Sequence, residues 1–180
     1  MEKYFFADYL FSIICNLIAA ALFTGLLYTL LRPNLKLSKQ ILRRQNYNYG
    51  DTLFSFKIVN RSLFEAYNLS FELYVRKQSL HDSEHYNVVI NDLKLVTKEL
   101  KLMKPYKPFN RSKFAEYAII INTNEDLQAL LQNDDTSIEL VVHSTHGLTA
   151  FSKVFRQEYY GENSIANKRG FKYGKSVDIE

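Results

Sequence analysis

The side chains with the clearest chemical potential are two pairs of histidines. His81 and His85 are four residues apart, and His143 and His146 are three apart. On a helix, either spacing would place two imidazoles on one face, where they could share a metal ion. Both pairs fall in sequence typical of loops or strand ends, without a carboxylate-rich surround. We therefore expect solvated histidines, and the sequence predicts no metal site.

Nucleophilic catalysis has equally little support. A Ser-His-Asp set could be drawn from Ser144, His143 and Asp134, but the glycine-flanked nucleophile elbow that would expose the serine is missing from the sequence. The six glycines form no phosphate-binding loop. The single cysteine, Cys15, lies in an apolar run, so no cysteine-based zinc site is expected. We therefore expect a protein that is not an enzyme and has no cofactor.

Basic residues form a denser pattern. Five cations fall within thirteen positions: Arg32, Lys36, Lys39, Arg43 and Arg44. Each Lys or Arg close to an anionic leaflet contributes about 1 kcal/mol to membrane binding, so this set is a candidate site for lipid headgroups. The other interpretation is that these cations only set the membrane topology. The net charge of +4 is too small for a nucleic-acid groove, so no nucleic-acid partner is expected.

The run before these cations, Tyr9 to Leu31, contains no Asp, Glu, Lys or Arg. Its 23 residues exceed the ~20 that a helix needs to cross the hydrocarbon core of a bilayer. A cleaved signal peptide would have a basic start and a shorter apolar stretch, and a buried helix of a soluble domain is the third interpretation. We expect a retained transmembrane helix within residues 1–31.

The flanking charges predict an orientation. Lys and Arg accumulate on the cytoplasmic side of a span, and one basic residue precedes the run whereas five follow it. We expect a single-pass protein of the cell (inner) membrane, with its N-terminus outside and its C-terminal domain in the cytoplasm. Within the span, Asn16 and Thr24 are candidate helix–helix contacts that would favour a homo-oligomer. For Asn16, a tolerated single polar residue is the other interpretation.

The remainder of the chain predicts strands. Residues 32–52 are typical of a basic juxtamembrane connector, and residues 53–180 of one cytoplasmic β-sandwich domain. Strict alternation from Tyr67 to Val75 is the clearest signal of a half-buried strand. Shorter runs predict further strands at 53–60, 88–96, 117–121, 138–142, 149–160 and 170–179.

Between these runs, residues 77–87 are typical of a loop, and residues 143–147 of a turn. Thr123 or Asn124 could cap a short helix that carries Leu127, Leu130 and Leu131 on one face. The expected fold class is mainly β, with one N-terminal transmembrane helix followed by an antiparallel immunoglobulin-like β-sandwich with one short helix.

The order of several short segments along the chain is similar to that in a known family. Arg32-Pro33 follows the apolar run directly, and the later segments that carry the likeness are 56–62, 66–69, 139–142, 151–155, 159–160 and 170–171. Together they resemble the inner-helix end and cytoplasmic immunoglobulin-like domain of inward-rectifier potassium channels, as carried by small bacterial single-span membrane proteins. The likeness covers residues 28–180.

This resemblance implies that the basic stretch binds phosphoinositide headgroups. Arg32 and Lys36 match that stretch by position, and Lys39 matches it less closely. The sequence departs from the channels in having one apolar run, no pore loop and no Thr-x-Gly-Tyr-Gly filter. Because a ring of filter carbonyls is what selects potassium, the resemblance implies fold and orientation, but not ion selectivity.

We therefore expect a membrane-anchored binding or regulatory protein that displays a cytoplasmic β-sandwich. Its expected partners are the lipid bilayer, anionic lipid headgroups and a protein or small ligand. The alternative is an oligomerising membrane effector that forms a pore or disrupts the bilayer on sensing a ligand, for example a nucleotide signal in phage defence. That alternative needs a ligand groove in the sandwich and a polar helix face that contains Asn16 and Thr24.

Overall fold

The computed structural model describes residues 2–45, 52–80, 86–106 and 114–180. His81 and His85 lie outside these residues. The first element is helix α1, Glu2–Leu30, and a second, short helix is α2, Leu127–Leu131. The strands are β1 Leu35–Leu37, β2 Ile41–Gln45, β3 Thr52–Asn60, β4 Ala66–Leu80, β5 Tyr86–Leu93, β6 Glu99–Met103, β7 Ala118–Thr123, β8 Thr136–His146, β9 Ser152–Tyr160 and β10 Ile165–Ala166. The expected class, mainly β with an N-terminal apolar helix and one short helix, is confirmed.

The first sheet, sheet A, is organised around β3. One edge of β3 pairs with β7, and the other edge pairs with β1 and β2, all antiparallel. Strands β1 and β2 are two halves of one edge, interrupted at Ser38, whose hydroxyl accepts a hydrogen bond from the Lys57 amide at 3.2 Å. The short β10 extends the sheet by pairing parallel to β2.

The second sheet, sheet B, is organised around β4. One edge of β4 pairs with β8, which pairs in turn with β9, and the other edge pairs with β5 and β6. All of these pairings are antiparallel. The β4–β8 pairing shifts register between Tyr67 and Ser70, near Asn68, whose φ of 48° is left-handed. Such an irregularity bends the strand.

The two sheets pack face to face over one apolar core. Its largest fully buried side chains come from both sheets and include Phe54, Phe56, Leu69, Leu73 and Tyr159. The rings of Phe56 and Tyr159 meet across the core with centroids 5.4 Å apart. The Tyr159 hydroxyl donates to the Ser38 carbonyl at 2.8 Å, so a buried polar group on sheet B is satisfied by sheet A.

The expected connector contributes to this core. Leu35, Leu37, Ile41 and Leu42 are all buried, because the strands of residues 35–45 pair with β3. The sandwich therefore begins at Leu35 rather than at residue 53. The short period-2 patterns of this segment are strand patterns, although its cations are typical of a basic juxtamembrane connector.

Three local expectations also need correction. Strand β4 continues to Leu80 where a loop was expected, because β5 pairs with it along that length. Strand β8 continues to His146, so the turn before β9 lies at residues 147–151. Helix α2 is capped by the Asp126 side chain, which accepts from the Ala129 amide at 3.2 Å, rather than by Thr123 or Asn124.

The C-terminal segment forms a cover on sheet A rather than the expected strand at 170–179. Its only pairing among the described residues is the isolated bridge between Phe171 and Ile179. The Lys57 ammonium, on β3, donates to the carbonyls of Lys172 at 2.6 Å and Gly174 at 2.9 Å. Desolvation under this cover lowers the pKa of Lys57, and the nearby Asp178 partly offsets that effect.

Candidate membrane-facing site

Helix α1 presents an apolar surface that the sandwich leaves uncovered. Residues Tyr9–Tyr28 have a mean hydropathy of 2.3, and none of the window is buried. This segment is long and apolar enough to cross a membrane. Because its side chains stay exposed along the whole segment, lipid or another helix could cover them from any side.

The C-terminal end of α1 is fastened to the turn between β8 and β9, which we call loop 147–151. The Thr149 hydroxyl donates to the Leu31 carbonyl at 2.9 Å. The last carbonyls of a helix have no intrahelical partner, so this bond satisfies one of them. The rings of Tyr28 and Phe151 pack with centroids 5.6 Å apart. The helix therefore contacts the sandwich directly at this end.

His146 organises the base of loop 147–151. Its Nδ1 accepts from the Leu148 amide at 3.3 Å and lies 3.2 Å from the Thr149 hydroxyl. Its ring packs edge-on against Phe64, with centroids 5.2 Å apart. Only 1% of His146 is exposed, and this burial lowers the pKa of its imidazole. The loop thus depends on a neutral histidine.

The turn between β3 and β4, loop 61–65, lies beside loop 147–151. The Gly147 amide donates to the Glu65 carbonyl at 3.0 Å. Loop 61–65 is shaped by the buried Asn60, whose Nδ2 donates to the Phe64 carbonyl at 3.0 Å and whose Oδ1 accepts from the Ser62 amide at 3.0 Å. An asparagine that hydrogen-bonds to nearby backbone in this way favours a turn.

A basic cavity lies where these segments meet. Its volume is about 270 Å³. Three cations line it, one directly after α1, one in loop 61–65 and one in β9: Arg32, Arg61 and Lys153. The other lining residues are Pro33, Asn34, Ser62 and Leu63. We call this the headgroup cavity, after the site for lipid headgroups that the sequence predicts to include Arg32.

The geometry of the headgroup cavity is fixed by backbone contacts and burial. The Arg61 amide donates to the Asn34 carbonyl at 2.8 Å, which holds the chain leaving α1 against loop 61–65. Pro33 is buried, and its ring fixes φ near −65°. The Lys153 ammonium lies 4.7 Å from the centroid of the Phe155 ring. The three cations are therefore presented by separate, supported segments.

The five cations of the predicted headgroup site do not form one surface. Arg32 is exposed and lines the headgroup cavity. Lys36 is half-buried in β1, and the exposed Lys39 follows it. Both lie close enough to Asp178 to help lower the pKa of its carboxyl, after the larger effect of a Ser176 hydrogen bond. These two lysines thus face the C-terminal cover.

The two arginines of β2 lie at the opposite end of sheet A. Leu35 pairs with Asn60 of β3, whereas Arg44 pairs with Leu53. Those positions are separated by about 23 Å, at about 3.3 Å per residue of strand. Arg43 is exposed and Arg44 half-buried. The structure therefore does not bring Arg43 or Arg44 to the headgroup cavity.

Arg43 instead lines a second cavity, of about 470 Å³, between sheet A and α2. The remaining lining residues are mostly polar: Thr52, Phe54, Asn124, Asp126, Gln128, Ala129 and Gln132. Its volume is in the range of small-molecule sites.

Asn16 and Thr24 are both exposed on α1. Eight residues of helix separate them, which corresponds to about 80° around the axis at about 100° per residue. They lie on one half of the helix surface, which is compatible with a shared helix–helix contact.

Strand β8 separates the members of two sets considered from the sequence, the pair His143 and His146 and the pair Ser144 and His143. Successive residues of a strand point to opposite faces. His143 points outward, with Nε2 3.8 Å from the Glu72 carboxylate, whereas Ser144 and His146 are buried. His143 therefore shares neither a metal site with His146 nor a catalytic arrangement with Ser144. In the part of the chain that the structure describes, no three His, Cys, Asp or Glu side chains converge as metal ligands.

Arg61 and Lys153 are the functional candidates that sequence reasoning missed. Arg61 is the single cation of loop 61–65, and Lys153 shares β9 only with Arg156; both lie far along the chain from Arg32. Arg61 precedes the exposed Leu63 by two residues, and Lys153 follows the exposed Phe151 by two. A cation close to an exposed apolar residue is the sequence signal that could have identified both. No protein-family model matches this chain, and no curated protein matches it.

Proposed function

We propose that this chain is a single-span membrane protein that binds an anionic, phosphate-bearing lipid headgroup at the end of its span. Its role is binding or regulation at the membrane surface rather than catalysis. The observation that carries the proposal is the convergence of Arg32, Arg61 and Lys153 on one cavity directly after α1. This set replaces the five cations expected from the sequence, of which only Arg32 remains.

The energy of such a site is set by charge. A cation near an anionic leaflet contributes about 1 kcal/mol, and about 1.4 kcal/mol corresponds to a tenfold change in affinity. Removal of one of the three cations is therefore expected to weaken headgroup binding about fivefold. Reversal of one charge adds repulsion and weakens binding further.

The orientation follows the positive-inside rule. The end of α1 that bears Arg32 and the headgroup cavity lies in the cytoplasm, and the N-terminus lies outside the cell. The membrane is the cell (inner) membrane. The sandwich, from Leu35 onward, is then the cytoplasmic domain.

The strand order supports an immunoglobulin-like domain. In that fold, one sheet has its second strand between the first and fifth, and the other sheet places the third, sixth and seventh strands side by side. If β1 and β2 count as one strand and β5 and β6 as another, sheet A has this order around β3, and sheet B has it in β4, β8 and β9. The same order supports the resemblance to the cytoplasmic domain of inward-rectifier channels.

A measurement of how much anionic lipid the full chain retains on purification tests the proposal. The protein is purified from discs that contain phosphatidylglycerol and phosphatidylcholine, and bound lipids are counted by native mass spectrometry. The wild type is expected to retain phosphatidylglycerol in preference. Arg61→Glu is expected to reduce that preference at least about fivefold, whereas Arg43→Glu leaves it unchanged. Equal retention by the wild type and Arg61→Glu would refute the proposal.

A second candidate function is the oligomerising membrane effector. Two observations favour it: α1 is uncovered along its apolar length, and the polar cavity lined by Arg43 offers a place for a small ligand. Such an effector must change its oligomeric state in the membrane when it senses the ligand. If the detergent-purified chain remains monomeric by light scattering with and without candidate nucleotides, this candidate is wrong.

A further inference from the structure

We propose that the sandwich rests directly on the leaflet, with the tips of loop 61–65 and loop 147–151 inside the headgroup layer. This proposal rests on the proposed function, because it takes α1 as a membrane span. Three large apolar side chains at these tips are exposed: Leu63 by 70%, Leu148 by 63% and Phe151 by 45%. The partner is the lipid surface of the membrane that α1 crosses.

The depth of loop 147–151 follows from its contacts with α1. Phe151 packs against Tyr28, the last residue of the candidate span. Thr149 bonds to the Leu31 carbonyl, which lies about 4.5 Å further along at about 1.5 Å per residue. Each headgroup layer is about 5–8 Å thick. Loop 147–151 therefore lies at the level of the headgroups whenever Tyr28 marks the end of the hydrocarbon core.

The neighbouring loop lies at the same level. Gly147 and Glu65 are joined by a backbone hydrogen bond, and Leu63 lines the headgroup cavity together with Arg32. Since Arg32 is the second residue after α1, a shared cavity places Leu63 near the end of the helix. Both tips thus face the same leaflet.

The surface around these tips matches an anionic leaflet in charge. Arg61 flanks Leu63 within loop 61–65, and Lys153 follows Phe151. Apolar side chains flanked by cations are the composition that binds the boundary between headgroups and acyl chains. Charge complementarity and continuity with the span therefore select lipid as the occupant of this surface.

Loop 147–151 is held in shape without the membrane. The Ala150 amide donates to the His146 carbonyl at 3.0 Å, and the His146 amide donates to the Phe151 carbonyl at 2.8 Å. Ala150 adopts a φ of 56°, a conformation that L residues adopt only when their surroundings impose it. A tip fixed in this way needs little ordering when it enters the headgroup layer.

Site-specific fluorescence on the full chain in liposomes tests the depth. In a Cys15→Ser background, an environment-sensitive fluorophore is attached through Leu148→Cys, or through Leu63→Cys as a second variant. Val96→Cys is the matched control, because Val96 is equally exposed, at 67%. The Val96 amide donates to the Asn122 carbonyl, and Asn122 pairs with Ser55 of β3. Val96 therefore lies away from the end of the sandwich that carries loop 61–65 and loop 147–151. Ile14→Cys marks the span.

Labels at 148 and 63 are expected to be quenched by headgroup-level nitroxide lipids about twofold or more above the label at 96, because apolar interfacial residues lie about 5–10 Å into the boundary region. The label at 96 is expected to be quenched mainly by aqueous iodide. If the label at 14 lies in the hydrocarbon core but both tip labels behave like the label at 96, the docking proposal is wrong and the span remains. If the label at 14 is also in water, the proposed function itself is wrong.

Discussion

Gly147, in loop 147–151, packs closely against Tyr67 of β4 and the Glu65 carbonyl of loop 61–65, and its replacement by alanine is expected to displace them. A Cβ at this position would lie 2.4 Å from Cε2 of Tyr67 and 3.1 Å from the Glu65 carbonyl oxygen. Ordinary carbon–carbon contacts are about 3.5–4.0 Å, so the Tyr67 ring must move by about 1 Å or more. Gly147 is not one of the described glycines with a left-handed φ, so the destabilisation caused by alanine is purely steric.

Overpacking of this kind costs about 1–3 kcal/mol. In a domain of this size, each 1 kcal/mol lowers the melting temperature by about 2–4 °C. We therefore expect Gly147→Ala to melt roughly 2–12 °C below the wild type, as followed by the β-sheet circular dichroism signal in detergent. Gly25→Ala is the matched control, because a Cβ there meets nothing within 4 Å.

Removal of the ring should recover much of the loss. In a double-mutant cycle of Gly147→Ala with Tyr67→Ala, the two changes are expected to couple by about 1 kcal/mol or more, since Tyr67→Ala removes the ring with which the new Cβ of Gly147→Ala would clash. If the two effects are additive, or if Gly147→Ala melts like Gly25→Ala, the steric reasoning is wrong.

Two further predictions concern buried titratable groups. The burial of His146 lowers the pKa of its imidazole, so as pH falls this site is protonated in the unfolded chain before it is protonated in the folded chain. The contribution of His146 to stability is therefore complete above the usual pKa of about 6.5 and is lost as pH falls from there through the lowered pKa of the folded chain. Melting temperatures between pH 8 and pH 5 are expected to fall less for His146→Gln than for the wild type, and equal slopes would contradict this. Lys57 donates to the carbonyls of Lys172 and Gly174, and a hydrogen bond from a charged group contributes about 1.5–3 kcal/mol. Lys57→Met is therefore expected to raise amide exchange in residues 170–180 about tenfold or more, with the exposed Lys101→Met as control; unchanged exchange would show that the C-terminal cover is held by other contacts.

The fold class was predictable from the sequence in those strands where one face is buried, because burial of one face produces an alternation of apolar and polar residues. In β4, Leu69, Phe71, Leu73 and Val75 point into the core, and their alternation marks the strand without ambiguity. The far end of β4 carries no such pattern. Residues 77–79 are exposed on both faces and are kept extended by backbone pairing with β5. A strand held by its neighbour rather than by the core leaves no hydrophobic signature.

The sequence located one member of the headgroup cavity and missed two. Arg32 is marked by its position after the apolar run. Arg61 and Lys153 come to it only through contacts between residues far apart in the chain, the Arg61 amide with the Asn34 carbonyl and the Thr149 hydroxyl with the Leu31 carbonyl. Charge density along the chain instead favoured Arg43 and Arg44, which the strand carries to the opposite end of sheet A. Linear clustering of cations is a poor guide when the segment is a strand, because each residue moves the charge by about 3.3 Å.

The most direct test of the central claim compares Arg61→Glu with Arg43→Glu in the same mixed-lipid discs. Both substitutions change the net charge equally, so a nonspecific attraction to anionic lipid would fall equally in both. We expect Arg61→Glu to lose phosphatidylglycerol about fivefold or more, and Arg43→Glu to retain it like the wild type. Equal losses in the two chains, or no loss in either, would contradict a headgroup site at the end of α1.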